Sequence, residues 1–149
     1  MGSKKVREYV LGFFYSSTGV VLIEKVFPWS QGRCVHNGIG GNIVKGETGY
    51  DAMVREFKEE TGLVTTKNQW KFIVCLAGRS KAGYQYIVNV FWGRGHVPKN
   101  YFDKLILPRQ EGAVNLFSEL PDNTDSTARW IHMMLTDRVM NDYYVIFLS

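Results

Sequence analysis

Between Gly41 and Leu63 the chain reads GNIVKGETGYDAMVREFKEETGL, placing Glu56, Glu59 and Glu60 beside Arg55 shortly after a run of glycines. On a helix, at about 100° per residue, the three glutamates share one face, where like charges three or four apart repel by about 0.2–0.5 kcal/mol per pair. A divalent cation turns that repulsion into coordination. Ligands made only of oxygen suit Mg2+ or Mn2+, which share their remaining positions with waters and substrate phosphates. Arg55 stands four residues before Glu59, the spacing at which a guanidinium reaches a carboxylate on the next turn, so orientation is its expected job.

The elements that must hold these groups are legible around them. Tyr50, Met53, Val54 and Phe57 form an apolar stripe beside the acids, so the helix can bury one flank and present carboxylates at its edge. Thr48 with Asp51 reads as a capping pair at its start, and Gly62 as the left-handed residue that stops it. Upstream, Gly38, Gly40 and Gly41 allow close backbone approach to a ligand. Tyr9 to Phe14 and Val20 to Lys25 read as a first hairpin leading to a loop around Pro28. Lys71 to Ala77 and Tyr84 to Gly95 read as a second. His96 to Gln110, with Pro98 and Pro108, is expected to be a long loop bordering the site, and Glu111 to Phe117 returns to strand character. Asp125 to Met140 has helical spacing, with Trp130 read as a core residue and His132 as a satisfied side chain. Tyr143 to Leu148 is a β-prone end.

Gly41, Glu47, Arg55, Glu56, Phe57, Glu59, Glu60, Gly62 and Leu63 match every fixed position of the pattern Gx5Ex7REUxEExGU, and the chain therefore resembles the Nudix hydrolases. The matched stretch is short, 23 of 149 residues, but nine positions at fixed spacing make a chance match improbable. The resemblance implies an α/β fold, an α/β/α sandwich around a mixed β-sheet, and Mg2+-dependent (or Mn2+-dependent) hydrolysis of a nucleoside diphosphate linked to another group. Carried over by position, Glu56, Glu59 and Glu60 are metal ligands with the carbonyl of Gly40 as a further candidate. Arg55 holds a box glutamate, and Glu47 braces the loop. Glu56 and Glu111 are rival candidates for the catalytic base.

Substrate recognition is less constrained. His36 to Gly41, HNGIGG, resembles the NGxGG approach to the box in enzymes that destroy oxidised purine nucleoside triphosphates, where the asparagine meets the base; Asn37 is the matching residue. Its amide can donate and accept at once, although Asn before Gly is also an ordinary turn former. Asn42 stands where a lysine is common, and neither Asp122 nor Asp125 is singled out as the acid expected before the last helix. Phe27, Trp29, Tyr84 and Tyr86 could stack on a base, and Lys25 and Arg33 could meet phosphates. Strand aromatics are more often core, and lone cations more often surface.

Composition sets the frame. A chain of 149 residues with 45% hydrophobic content suits a single domain able to build its own core. No stretch is apolar enough to span a membrane and the N-terminus lacks the apolar centre of a signal peptide, so a cytoplasmic protein is expected. Cys34 and Cys75 show no metal-binding or disulfide spacing. A net charge of +4 favours anionic partners such as nucleotides, without a basic run dense enough for a nucleic-acid groove. Nothing fixes monomer or homodimer.

Three functions compete. The first is a nucleoside triphosphate pyrophosphatase yielding a monophosphate and pyrophosphate, with oxidised purine nucleotides among its candidate substrates. The second keeps the chemistry on ADP-ribose, a dinucleoside polyphosphate or capped RNA. The proline that ADP-ribose hydrolases often carry about 16 residues past the box is missing around Arg79, which weighs against that branch. The third is a nucleotide-binding module without turnover, disfavoured by the intact carboxylates.

Overall fold

The computed structural model describes residues 6–103, 105–108, 111–136 and, as backbone, 144–148. In chain order the elements are β1 (Val6–Ser16), β2 (Gly19–Val26), β3 (Cys34–Asn37), β4 (Ile39–Asn42), α1 (Gly49–Thr61), β5 (Trp70–Arg79), β6 (Gln85–Arg94), β7 (Ala113–Phe117), α2 (Ser126–Thr136) and β8 (Tyr144–Leu148). Both expected hairpins form: β1 pairs antiparallel with β2, and β5 with β6. The expected strand from Glu111 begins at Ala113. Met140, Tyr143 and Gln110, which bounded the expected last helix, last strand and loop, lie outside the described residues.

One mixed sheet runs in the order β3-β2-β1-β6-β5-β8. β1 lies parallel to β6 along its whole length, while its other edge is divided between β4 and β2. Alternation along these strands sends residues to opposite faces, and each face receives one helix. Val10, Phe14, Val21, Ile23 and Ile39 face Ala52, Met53 and Phe57 of α1; Phe13, Val20, Leu22, Val74 and Val90 face Ala128 and Ile131 of α2. The result is the expected α/β/α sandwich.

Helix α1 is fixed at both ends and beneath. The Thr48 side chain accepts from the Asp51 amide while the Asp51 carboxylate accepts from the Thr48 amide, and Gly62 adopts φ 76° with its N–H donating to the Lys58 carbonyl. Met53 and Phe57 are fully buried, each contributing about 1.5–3 kcal/mol of apolar burial. The helix lies close against β1: a Cβ on Gly12 would stand 2.5 Å from the Met53 sulfur. With its apolar flank locked, the acid-bearing edge has a single orientation.

Helix α2 corrects one expectation. Ala128 and Ile131 are its buried residues and Leu135 packs beside them, whereas Trp130 is 36% exposed and Met133 52%. At 3.6 residues per turn, Ala128, Ile131 and Leu135 share a stripe from which Trp130 and Met133 are rotated away. The small Ala128, not the tryptophan, marks the line of contact. His132 is satisfied as expected: its Nδ1 lies 2.6 Å from the Tyr15 hydroxyl, with the two rings stacked.

Candidate active site

The acids gather where β4 delivers its glycines against α1. Register with β1 places Gly40 opposite Leu11 and Gly41 opposite Val10. A Cβ on Gly41 would stand 2.3 Å from the Glu56 carboxylate, and one on Gly40 would stand 2.0 Å from the Val10 carbonyl oxygen. Glycine is required here for proximity: the Glu56 carboxylate occupies the volume a side chain at Gly41 would fill.

Arg55 organises the acids. Its Nε donates to Glu47 Oε2 (2.7 Å), Nη2 to Glu47 Oε1 (2.9 Å) and to the Asn42 carbonyl (2.9 Å), and Nη1 to Glu56 (2.9 Å) and Glu59 (3.4 Å). Glu47 in turn accepts from the Val44 amide at 2.8 Å, bracing the loop that joins β4 to α1. Helical spacing had pointed to Glu59 as the partner. In the structure Glu59 makes the longest of these bonds, and the fork-to-fork pair is with Glu47, eight residues upstream on the loop, where the planar guanidinium can meet both oxygens. That pairing holds Glu47 below the ordinary carboxylate range and raises Arg55 above its own.

Glu56 and Glu60 behave differently. Burial, and then the neighbouring acids, push both above the usual carboxylate value: Glu59 and Glu111 act on Glu56, Glu111 and Glu56 on Glu60. Arg55 offsets part of this for Glu56, and the Glu111 amide, donating to Glu60 Oε2 at 3.2 Å, offsets part for Glu60. Glu111 therefore does reach the box acids, through its backbone. Its exposed carboxylate is bound instead to Lys25 Nζ at 2.6 Å. Two candidates assigned separate roles, Lys25 for phosphate and Glu111 for base, are thus paired with each other.

From Lys25 a chain of contacts runs outward. Its ammonium sits 4.8 Å from the centre of the Phe27 ring, Phe27 stacks on Trp29 at 4.7 Å, and the Trp29 Nε1–H donates to Asp125 at 3.1 Å. The loop carrying Trp29 is pinned by buried Ser30, whose hydroxyl bonds the Phe27 amide and lies 2.6 Å from the Arg33 carbonyl. Asn37 is buried opposite Ile23, and its Oδ1 accepts from the Gly38 amide at 2.8 Å. Two candidates stand apart. Arg33 is exposed on the β2–β3 loop, and Tyr84 lies at the far hairpin, under the Arg7 guanidinium at 3.9 Å. Gln85 beside it pairs with Val6, four positions along β1 from the Val10–Gly41 pair, or about 13 Å.

On the other side of the acids, the loop after β6 folds over the end of α1, with Tyr101 donating to the Thr61 carbonyl at 2.9 Å. Between them opens a groove of about 400 Å³ lined by Arg55, Lys58, Glu59, Leu107 and Pro108. Among the described residues no three acids, histidines or cysteines are already drawn together closely enough to cage a metal ion. Nor is any helix long and apolar enough to cross a membrane.

A family profile for the NUDIX domain matches residues 5–141. The chain belongs to the Nudix hydrolases. Solved structures share the fold: a MutT/nudix family protein from Enterococcus faecalis (22% identity, 78% of this chain and 45% of that one, TM-score 0.62) and a MutT protein from Bacillus halodurans (16%, 96% and 90%, 0.64). A bifunctional NMN adenylyltransferase/ADP ribose pyrophosphatase from Francisella tularensis, complexed with AMP and a manganese ion, is similar over 93% of this chain and 43% of that one (19%, 0.65). At such identities the likeness is one of fold. A search of curated proteins returned no match.

Within this Nudix site, sequence reasoning had left Asp125 unassigned and passed over Asn123 and Glu24. Asp125 is the N-cap of α2, its Oδ1 accepting from Thr127 and Ala128, so a capping signal before the helix would have located it. Glu24 and Asn123 carry no such signal; they meet at His36 only in the folded chain.

Proposed function

We propose that this Nudix hydrolase is a divalent-metal-dependent nucleoside triphosphate pyrophosphatase, releasing a nucleoside monophosphate and pyrophosphate. The observation that carries the reading is the gathering of box acids at one edge of α1: Glu56 fills the space beside Gly41, Arg55 bonds both Glu56 and Glu59, and Glu60 accepts from the Glu111 amide. The donor set fits Mg2+ or Mn2+: it is all oxygen, and Gly41 leaves room for the Glu56 carboxylate against the backbone. Glu56, Glu59 and Glu60, with the Gly40 carbonyl, would hold the ion. When bound, it supplies neutralisation of phosphate oxygens and a more acidic water.

The chain's own groups do the rest. Arg55 keeps Glu56 and Glu59 aimed while fastening them to the Glu47 loop, so the acids are ordered before substrate arrives. Glu56, held against Gly41 beside the other box acids, is the better placed candidate for general base than Glu111, whose carboxylate is bound to Lys25. Lys25, exchanging Glu111 for a phosphate, would direct the triphosphate toward the acids. Asn37 offers its amide nitrogen to the base, its oxygen being engaged by Gly38. The Trp29 ring, 59% exposed and backed by Phe27, offers a stacking surface.

The test is product analysis on a panel of nucleoside triphosphates, oxidised purine nucleotides, ADP-ribose, dinucleoside polyphosphates and capped RNA with Mg2+. Monophosphate plus pyrophosphate from a triphosphate is expected. Cleavage confined to ADP-ribose or another member of the panel would move the substrate assignment. Binding without cleavage of any member would overturn the enzymatic reading.

A further inference from the structure

His36 directly precedes the Asn37 of the proposed base pocket, yet alternation sends its ring to the opposite face of β3, into a buried polar junction. Along the outer edge of β3 the segment 123–125 adds one parallel bridge. The His36 amide donates to the Asn123 carbonyl (3.1 Å), and the Asp125 amide donates to the His36 carbonyl (2.8 Å). The ring repeats the tie. Its Nδ1 lies 2.6 Å from Asn123 Oδ1 and its Nε2 lies 3.1 Å from Glu24 Oε2, while its edge meets Phe117 of β7 at 5.0 Å.

The chemistry of those partners fixes the ring. Asn123 spends its Nδ2 on the Cys34 carbonyl at 3.3 Å, so the oxygen is the atom facing His36, and the Glu24 carboxylate can only accept. An amide oxygen facing Nδ1 calls for a proton on that nitrogen, and Nε2 stands within reach of the Glu24 carboxylate. The titratable groups at this junction are Glu24 from β2 and the Cys34 thiol from β3, which also faces Glu24; β7 contributes Phe117, and segment 123–125 contributes the backbone of Asp125.

Asp125 carries the tie to the pocket. Its Oδ1 caps α2 and its Oδ2 takes the Trp29 indole N–H. We propose that His36, bonded through Nδ1 to Asn123 and through its backbone to segment 123–125, is the positioning residue of the base pocket: it clamps that segment onto β3, which holds Asn37 on one side and, through Asp125, the Trp29 ring on the other. The inference rests on the reading that Asn37 and Trp29 meet the base. A ring fixed in advance gives up less rotational freedom on binding, so loosening it raises KM and leaves the hydrolytic step alone.

The test uses His36→Phe, which keeps an aromatic ring against Phe117 and removes the Nδ1 donor; His36→Gln, which keeps an amide donor; and Asn123→Ala, a surface change removing the Nδ1 partner. Nitrogen-15 spectra of the wild-type protein should show the His36 Nδ1 carrying a proton. In His36→Phe the Trp29 indole N–H resonance, assigned by its loss in Trp29→Phe, should shift. KM for the best nucleotide should rise roughly three- to ten-fold with kcat within about two-fold. His36→Gln and Asn123→Ala should fall between. A His36 Nδ1 without a proton, or an unmoved indole signal in folded His36→Phe, overturns the proposal. If His36→Phe does not fold, an unmoved signal in Asn123→Ala does so. A moved indole signal with unchanged KM upholds the positioning of Trp29 and overturns its assignment to the base.

Discussion

Replacing Glu60 with Gln separates the two consequences of crowding acids at one edge. Glu60 is 5% exposed and four residues after Glu56 on α1, with Glu111 beside it. A like-charge pair at that spacing costs about 0.2–0.5 kcal/mol on an exposed helix, and partial burial multiplies the Coulomb term a few-fold. Solvent screening and the attraction of Lys25 take some of this back, leaving about 1 kcal/mol. Glutamine keeps an oxygen for the Glu111 amide and removes the charge, so the metal-free variant should melt about 2–4 °C higher than the wild type at neutral pH. Because the folded-state pKa of Glu60 is raised, protonation of the wild-type residue favours the fold. The advantage of the variant is therefore full at neutral pH and shrinks as the pH falls through the raised value toward the ordinary carboxylate range. Mg2+ at about 100 times its Kd should stabilise the wild type by about 2.7 kcal/mol, or roughly 5–10 °C, and the variant far less. Turnover should drop by roughly 100-fold or more. Calorimetry with and without Mg2+, beside steady-state kinetics, reads all three. A variant that melts no higher than wild type without metal, yet responds to Mg2+ as fully, would refute the reasoning.

Other changes probe the supports. Gly41→Ala puts a methyl group where the Glu56 carboxylate lies and should cut kcat by at least about 10-fold while the protein stays folded by circular dichroism. Arg55→Lys loses the two-pronged grip on Glu47 and the bond to Asn42, so kcat should fall by about 10-fold or more and amide exchange in the 42–47 loop should quicken. Thr48→Ala removes the cap of α1, costing about 1 kcal/mol and about 2–4 °C in melting temperature, with kcat nearly unchanged. Asp51, bonded to Lys67 and to the cap, is held down to about 2, so its contribution is complete above its ordinary value of 3.8 and lost as the pH falls toward 2. Acid unfolding of Asp51→Asn should lack that component.

Much was readable locally, because helix caps, left-handed stops and apolar stripes depend on residues within a few positions of one another. Thr48, Asp51, Met53, Phe57 and Gly62 all occupy the places their spacing required. The same local rule misled at α2, where a large aromatic drew attention to Trp130, although the burial angle is set by how closely a helix can approach the sheet and Ala128 permits the approach. It also ranked Glu59 above Glu47 as the partner of Arg55, since helical spacing counts only neighbours on one helix.

What the amino-acid order determined by itself is the family: a glycine approach, an arginine and three carboxylates at fixed intervals, the pattern of the Nudix hydrolases. Only the tertiary structure decided which groups share a charge. Lys25 meets Glu111 across 86 positions, Trp29 meets Asp125 across 96, and His36 meets Asn123 across 87. Such pairs carry no periodic signature, because their geometry comes from the order of strands in the sheet and the closure of loops across its end, and these form only when the two apolar faces are buried together.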